Sequence, residues 1–153
     1  LPEIKKKMPK AAYKKPDAVR ELERLATEEA RQRHMAADRH GALAPRRFRD
    51  DSANGLTDCI VKYITLKDGF ASRINSTGIF RPKLGKFTSG TQKRGLADVL
   101  ATYKGLSLHI EVKHGRDVQS DAQKRVESQV CQSGGKYYLA RNFSDFKIWL
   151  DNL

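Results

Sequence analysis

The clearest pattern in this chain runs from residue 56 to residue 64. Leu56, Cys59, Ile60, Tyr63 and Ile64 fall at i, i+3, i+4, i+7 and i+8, which lays five apolar side chains along one stripe of a helix. Asp68-Gly69 ends it. The apolar period then changes. Phe70 to Asn75 reads as a strand, and two further runs rich in β-formers, Leu96 to Tyr103 and Leu106 to Lys113, flank the dipeptide Lys104-Gly105. A second helix opens at Ser120 and runs to about Ser133, where Gly134-Gly135 closes it. Lys136 to Ala140 is a short strand, and Asn142 to Leu150 a terminal helix with Phe143, Phe146, Trp149 and Leu150 turned inward. The order is helix, strand, strand, strand, helix, strand, helix. An α/β core with a mixed four-stranded sheet flanked by helices is the natural packing of that order.

The residues ahead of this core are different. Residues 1–16 are rich in lysine and proline and carry no apolar period. Pro16-Asp17 opens a helix expected to reach about Ala37, with a thin apolar stripe of Val19, Leu22, Leu25 and Ala26. Such a stripe needs a docking surface, on this domain or on a second subunit. Residues 38–54 read as a linker through Gly41, Pro45 and the run Arg46-Arg47-Phe48-Arg49. The expected division is a basic N-terminal helical arm over 1–53 and a compact domain over 54–153. Residues 76–94 show no period, and a loop of that length is usually functional.

Charge narrows the class of partner. The 153 residues include 30 basic and 18 acidic ones, a net charge of +12. Residues 1–50 hold 14 basic and 8 acidic residues, and so half of that excess on a third of the chain. This balance favours a polyanion, either nucleic acid or an anionic membrane surface. No apolar run approaches the length of a membrane span, and no helix has the broad aromatic face of a membrane-surface anchor. The opening residues lack the apolar stretch of a secretory leader. The two cysteines, Cys59 and Cys131, lie in helical patterns and are expected to be buried, reduced thiols. An intracellular protein, in the cytoplasm or nucleoid of a prokaryotic host, is the expectation.

The candidate chemistry lies in the hairpin. With a two-residue turn at Lys104-Gly105, the numbers of paired residues sum to 209, which sets Asp98 directly opposite Glu111. Opposed residues share a face, with Cβ atoms about 4.5–5.5 Å apart. Lys113 projects to the same face as Glu111, and Leu108, Ile110 and Val112 take the other. A bulged turn would shift this register by one residue. Two carboxylates so close repel unless a cation sits between them, and unpaired charges are costly to bury. A divalent metal beside an attacked phosphate explains the group. The plain alternative is a surface hairpin with a Glu–Lys ion pair. His109 shares the face and is expected to be an ordinary strand histidine rather than a ligand.

With Asp98 on the second strand and Glu-x-Lys on the third, the chain resembles the PD-(D/E)XK (restriction-endonuclease-like) nuclease superfamily. More specifically it is similar to the virus-type replication-repair nuclease (VRR-NUC) family, including its small phage and mobile-element members. The matching pieces span roughly 54–150. They are Asn54-Gly-Leu-Thr57, Arg73-Ile-Asn75-Ser-Thr-Gly78, Gly95-Leu-Ala-Asp98, Ile110-Glu-Val-Lys113, Gln119-Ser-Asp-Ala-Gln123, Gly134-Gly-Lys-Tyr-Tyr138 and Trp149. The resemblance implies that Asp98 and Glu111 bind Mg²⁺ or Mn²⁺ together with the Val112 carbonyl. It implies that Lys113 positions the attacking water or stabilises charge on the phosphate, and that Gln123 is a catalytic-site glutamine. Ser120-Asp-Ala-Gln123 also fits a capping box, and both roles are compatible. Two departures stand out. Ala97 replaces the proline of the superfamily motif, and the first helix offers only Asp58 where many members have a glutamate completing the metal shell.

The resemblance and the charge balance together lead to the expectation of a metal-dependent DNA endonuclease, structure-selective for branched or Holliday-junction DNA, in DNA repair or recombination. Asn75, Arg81, Lys83, Lys86, Lys93 and Arg94 are candidate DNA contacts. A homodimer is expected, because a two-fold junction calls for two symmetric sites, with the arm helix or the Phe146 and Trp149 face at the interface. The alternative is a basic nucleic-acid-binding protein without catalysis.

Overall fold

The turn at Lys104-Gly105 has positive φ at both residues, 48° and 76°. That is what a two-residue type I′ hairpin turn requires. It joins β4 (Val99–Tyr103) to β5 (Leu106–Val112) in an antiparallel ladder that pairs Val99 with Ile110 and Tyr103 with Leu106. The register is the one the two-residue turn predicts. A computed structural model of the chain describes residues 12–41, 43–74, 79–88 and 93–153.

Around this hairpin a four-stranded mixed sheet is ordered β1-β4-β5-β6. β1 (Phe70–Arg73) pairs antiparallel with β4, and β6 (Lys136–Ala140) pairs parallel with β5. Two helices cover one face, α3 (Ala53–Leu66) and α5 (Phe143–Asp151). Their stripes Leu56, Cys59, Ile60, Tyr63, Ile64, Phe143, Phe146 and Leu150 meet Val99, Ala101, Leu108, Ile110 and Val112 from the sheet in one core. Tyr63 stands edge-on to Phe143 with centroids 5.5 Å apart, and its hydroxyl donates to Asp151 at 2.7 Å. The helix α4 (Asp121–Gln132) crosses between the parallel strands β5 and β6. Among the described residues no helix is long and apolar enough to cross a membrane.

The apolar stripe of the arm finds its docking surface within the chain. The helix α1 (Asp17–Arg33) packs on α3 and α5, and its Val19, Leu22 and Ala26 are fully covered there. Lys62 of α3 meets Glu29 at 2.7 Å, and Lys147 of α5 meets Glu21 at 3.4 Å. The helix stops short of the expected end near Ala37. His34 leaves helical geometry at φ −123° and ψ 48°, and a short α2 (Met35–Arg39) follows. The expected linker runs back along α1 and is pinned to it. Arg46 N–H donates to Thr27 Oγ1 at 3.0 Å, and Phe48 N–H to Glu23 Oε1 at 2.8 Å. Asp50 then accepts from Tyr13 Oη at 2.8 Å and from Phe143 N–H at 3.2 Å.

Three further expectations are corrected. β1 ends at Arg73 and Ile74 has left it, although Ile74 N–H still donates to the Asp98 carbonyl at 2.8 Å. The region 76–94 contains a small antiparallel pair, β2 (Ile79–Arg81) and β3 (Lys86–Thr88), joined through a 3₁₀ turn at Pro82–Leu84. Three-residue strands are too short to print a period. Cys59 is buried as expected, but Cys131 is exposed because α4 turns it away from the sheet.

Candidate active site

Asp98 lies one residue before β4, beyond the last ladder pair. Buried Ala97 precedes it, and its carbonyl is held by Ile74 N–H. Its side chain does what the next rung would do: Oδ2 accepts the Val112 N–H at 2.8 Å. The carboxylate is thereby fixed at the end of β5. An extended residue directs its N–H and C=O to the same side of its strand, so the Val112 carbonyl also faces Asp98.

Glu111 is 1% exposed in the middle of the sheet. Its Oε1 accepts from Lys113 Nζ at 3.0 Å and from Gln123 Nε2. Its Oε2 is buried with no partner. Burial pushes the Glu111 carboxyl above the usual range, and the Asp98 charge adds to this, against Lys113 and Gln123. Lys113 is itself buried, and its N–H donates to the Ala140 carbonyl at 2.9 Å.

Gln123 serves two elements at once. Its Oε1 accepts the Ser120 N–H at 2.8 Å, while Ser120 Oγ accepts the Gln123 N–H, a complete capping box. Its Nε2 is left free to hold Glu111. The helix start reaches this position because Gly95 lets the preceding loop approach. At φ +82°, a Cβ on Gly95 would lie 2.5 Å from the Ala122 carbonyl. Gly95, Asp98, Glu111, Lys113 and Gln123 are thus brought together by one turn, one ladder and one capped helix.

The remaining candidates divide. Asp58 is mostly exposed, and its carboxylate lies 3.9 Å from Arg73 Nη1. Arg73 also donates to Asn54 Oδ1. Among the described residues no group of three or more acids, histidines and cysteines gathers at one point. His109 is half-buried on the Glu111 face, and burial lowers its imidazole from the ordinary value. Asn75 lies outside the described residues. Arg81 stands on β2, Lys83 in the 3₁₀ turn and Lys86 at the start of β3, and Lys83 and Lys86 are exposed. Lys93 and Arg94 are exposed beside α4, where Lys93 Nζ donates to Gln129 Oε1 at 2.5 Å.

Tyr137 lies in the Gly134-Gly-Lys-Tyr-Tyr138 piece of the resemblance, but the sequence assigns it no role at the site. It pairs in register with His109 on β6, and its hydroxyl is buried without a partner. Burial and the nearby Glu111 charge push it up to about 12. The period of two along β6 places Tyr137 on this face only once β6 is paired with β5.

The donor set suits a hard divalent cation. Such ions take oxygen ligands, commonly one or two carboxylates with water and phosphate. A buried carboxylate oxygen with no partner beside a second carboxylate is what that cation would complete. Comparison with known proteins gives no match: no family model, curated protein or solved structure matches this chain.

Proposed function

We propose that this protein is a divalent-metal-dependent DNA endonuclease with a core of the PD-(D/E)XK kind. The observation that carries the reading is Glu111. It is a nearly inaccessible carboxylate with one oxygen held by Lys113 and Gln123 and the other without a partner. A carboxylate kept only for an ion pair would leave no such orphan, since an unsatisfied buried polar group costs about 1–3 kcal/mol.

Asp98, Glu111 and the Val112 carbonyl would hold Mg²⁺ or Mn²⁺, which when bound supplies polarisation of the phosphoryl oxygen and a more acidic water. Lys113 orients the attacking water or stabilises negative charge on the phosphate. Gln123 fixes the Glu111 carboxylate in one orientation from the start of α4. Exposed Lys83, Lys86, Lys93 and Arg94 contact phosphates, fixing position without reading sequence. Structure-selective cutting of branched DNA, by a two-fold dimer, belongs to this proposal. The stripe of α1 is not that dimer's interface, because α3 and α5 of the same chain cover it.

The test is purified protein with Mg²⁺ or Mn²⁺ on labelled linear, flap, nicked and four-way DNA, beside the variants Asp98→Ala, Glu111→Ala and Lys113→Ala. The first two should lose cleavage and Mn²⁺ binding by calorimetry while still binding DNA. Lys113→Ala should lose most cleavage and keep the metal. Wild-type protein that binds DNA but neither cleaves it nor takes up Mn²⁺ would establish the non-catalytic alternative.

A further inference from the structure

A cleft of about 500 Å³ opens between β5 and α4, the two elements that also carry Glu111 and Gln123. We propose that it takes an unpaired nucleobase of the DNA strand whose phosphate lies at Asp98 and Glu111. This inference rests on the nuclease reading.

Both walls belong to elements that carry the site. Glu111, His109 and Ser107 follow one another on one face of β5, and Val126 and Val130 lie one and two turns beyond Gln123 on α4. Val126, Val130 and Leu96 give the cleft apolar walls, between which an unstacked base can be held. His109 Nδ1 is buried with no partner, and a base edge offers both donors and acceptors. At the rim, Lys93 is held by Gln129 and brings a positive charge to the emerging backbone. The volume falls within the range of about 300–1,000 Å³ common for small-ligand sites. A base within a duplex cannot reach such a cleft without leaving the stack. The cleft would therefore favour strands that are already unpaired, as at a branch or an end.

The experiment is an abasic scan. Fluorescence anisotropy with full-length protein in EDTA compares a single-stranded 12-mer with versions that lack one base at successive positions. One or two positions should weaken binding by about 5- to 100-fold, as loss of a stacked base does. Ser107→Trp, at an exposed position, and Val130→Trp should each fill the cleft and abolish that positional effect. A flat scan on the wild type overturns the proposal. So does a positional effect that survives in both filled variants. Cleavage in Mg²⁺ is read separately. A positive scan with no metal-dependent cleavage would sink the nuclease reading and leave the base site standing.

Discussion

Two buried glutamates in this chain are solved in opposite ways. Glu23, 7% exposed, is surrounded by Lys15, the Phe48 N–H and Arg47. Burial pushes its carboxyl up, but these three partners outweigh it and hold it below the usual range. Glu111 has partners for one oxygen only and is shifted upward. The first is structural, and its role can be checked by titration. A depressed carboxyl stabilises the fold above the unfolded value of about 4.3, and that contribution vanishes as pH falls through the folded value. Glu23→Gln should therefore cost about 1–3 kcal/mol at pH 7. The gap from wild type in urea denaturation should narrow in acid, below a pH of about 4. A gap that is constant across that range would show that packing rather than charge is at stake. Of the two, only Glu111 was legible in the sequence, because its hairpin partner is set by local arithmetic. Glu23 is buried by a returning segment 25 residues away, and no short-range pattern records that.

At the scale of elements, the helix α4 and the hairpin separate cleanly. The third helical position of a capping box accepts Glu as well as Gln, so Gln123→Glu should leave the Ser120 cap and the thermal midpoint nearly unchanged. It should nonetheless suppress cleavage, because it sets a second anion against Glu111 Oε1. Full activity in that variant would remove Gln123 from the site. In the hairpin, Lys104 holds φ +48°, a strain that asparagine tolerates better. Lys104→Asn should raise stability by about 1 kcal/mol, the scale of the left-handed penalty, and leave cleavage as it is. The β4–β5 ladder and the Ser120 capping box could be read from the sequence because turn and cap chemistry act over two to four residues. The β2–β3 pair could not, since its strands are each three residues long.

At the scale of the molecule, the basic N-terminal region is two things. The stripe of α1 said that Val19 and Leu22 would be buried, and the structure places them against α3 and α5. A stripe records that a face is covered but not by what, so its destination was not legible. Removing residues 1–50 should therefore unfold or melt the domain, since each fully buried Val or Leu contributes about 1.5–3 kcal/mol. Circular dichroism of a 51–153 chain checks this, and a cooperative, unshifted transition would refute it. Removing residues 1–11 takes away four lysines and one glutamate. If about six phosphates are neutralised in the complex, log K should fall against log salt with a slope near −5 on duplex DNA. The shorter truncation should flatten that slope. An unchanged slope would mean that those lysines do not touch DNA.

The two-residue turn at Lys104-Gly105 also governs which changes of length this chain can survive. Deleting one residue there would force the hairpin to borrow a strand residue for its turn. Every rung would then shift by one, and Asp98 would stand opposite Ile110 or Val112, according to which strand gave up the residue, instead of Glu111. The error would be made at the tip and felt about 20 Å away, where a carboxylate would be driven into the hydrocarbon side of the sheet. Segment length in this hairpin therefore matters to the site as much as residue identity does, while the 3₁₀ turn at Pro82–Leu84, outside the β4–β5 ladder, is free of that constraint.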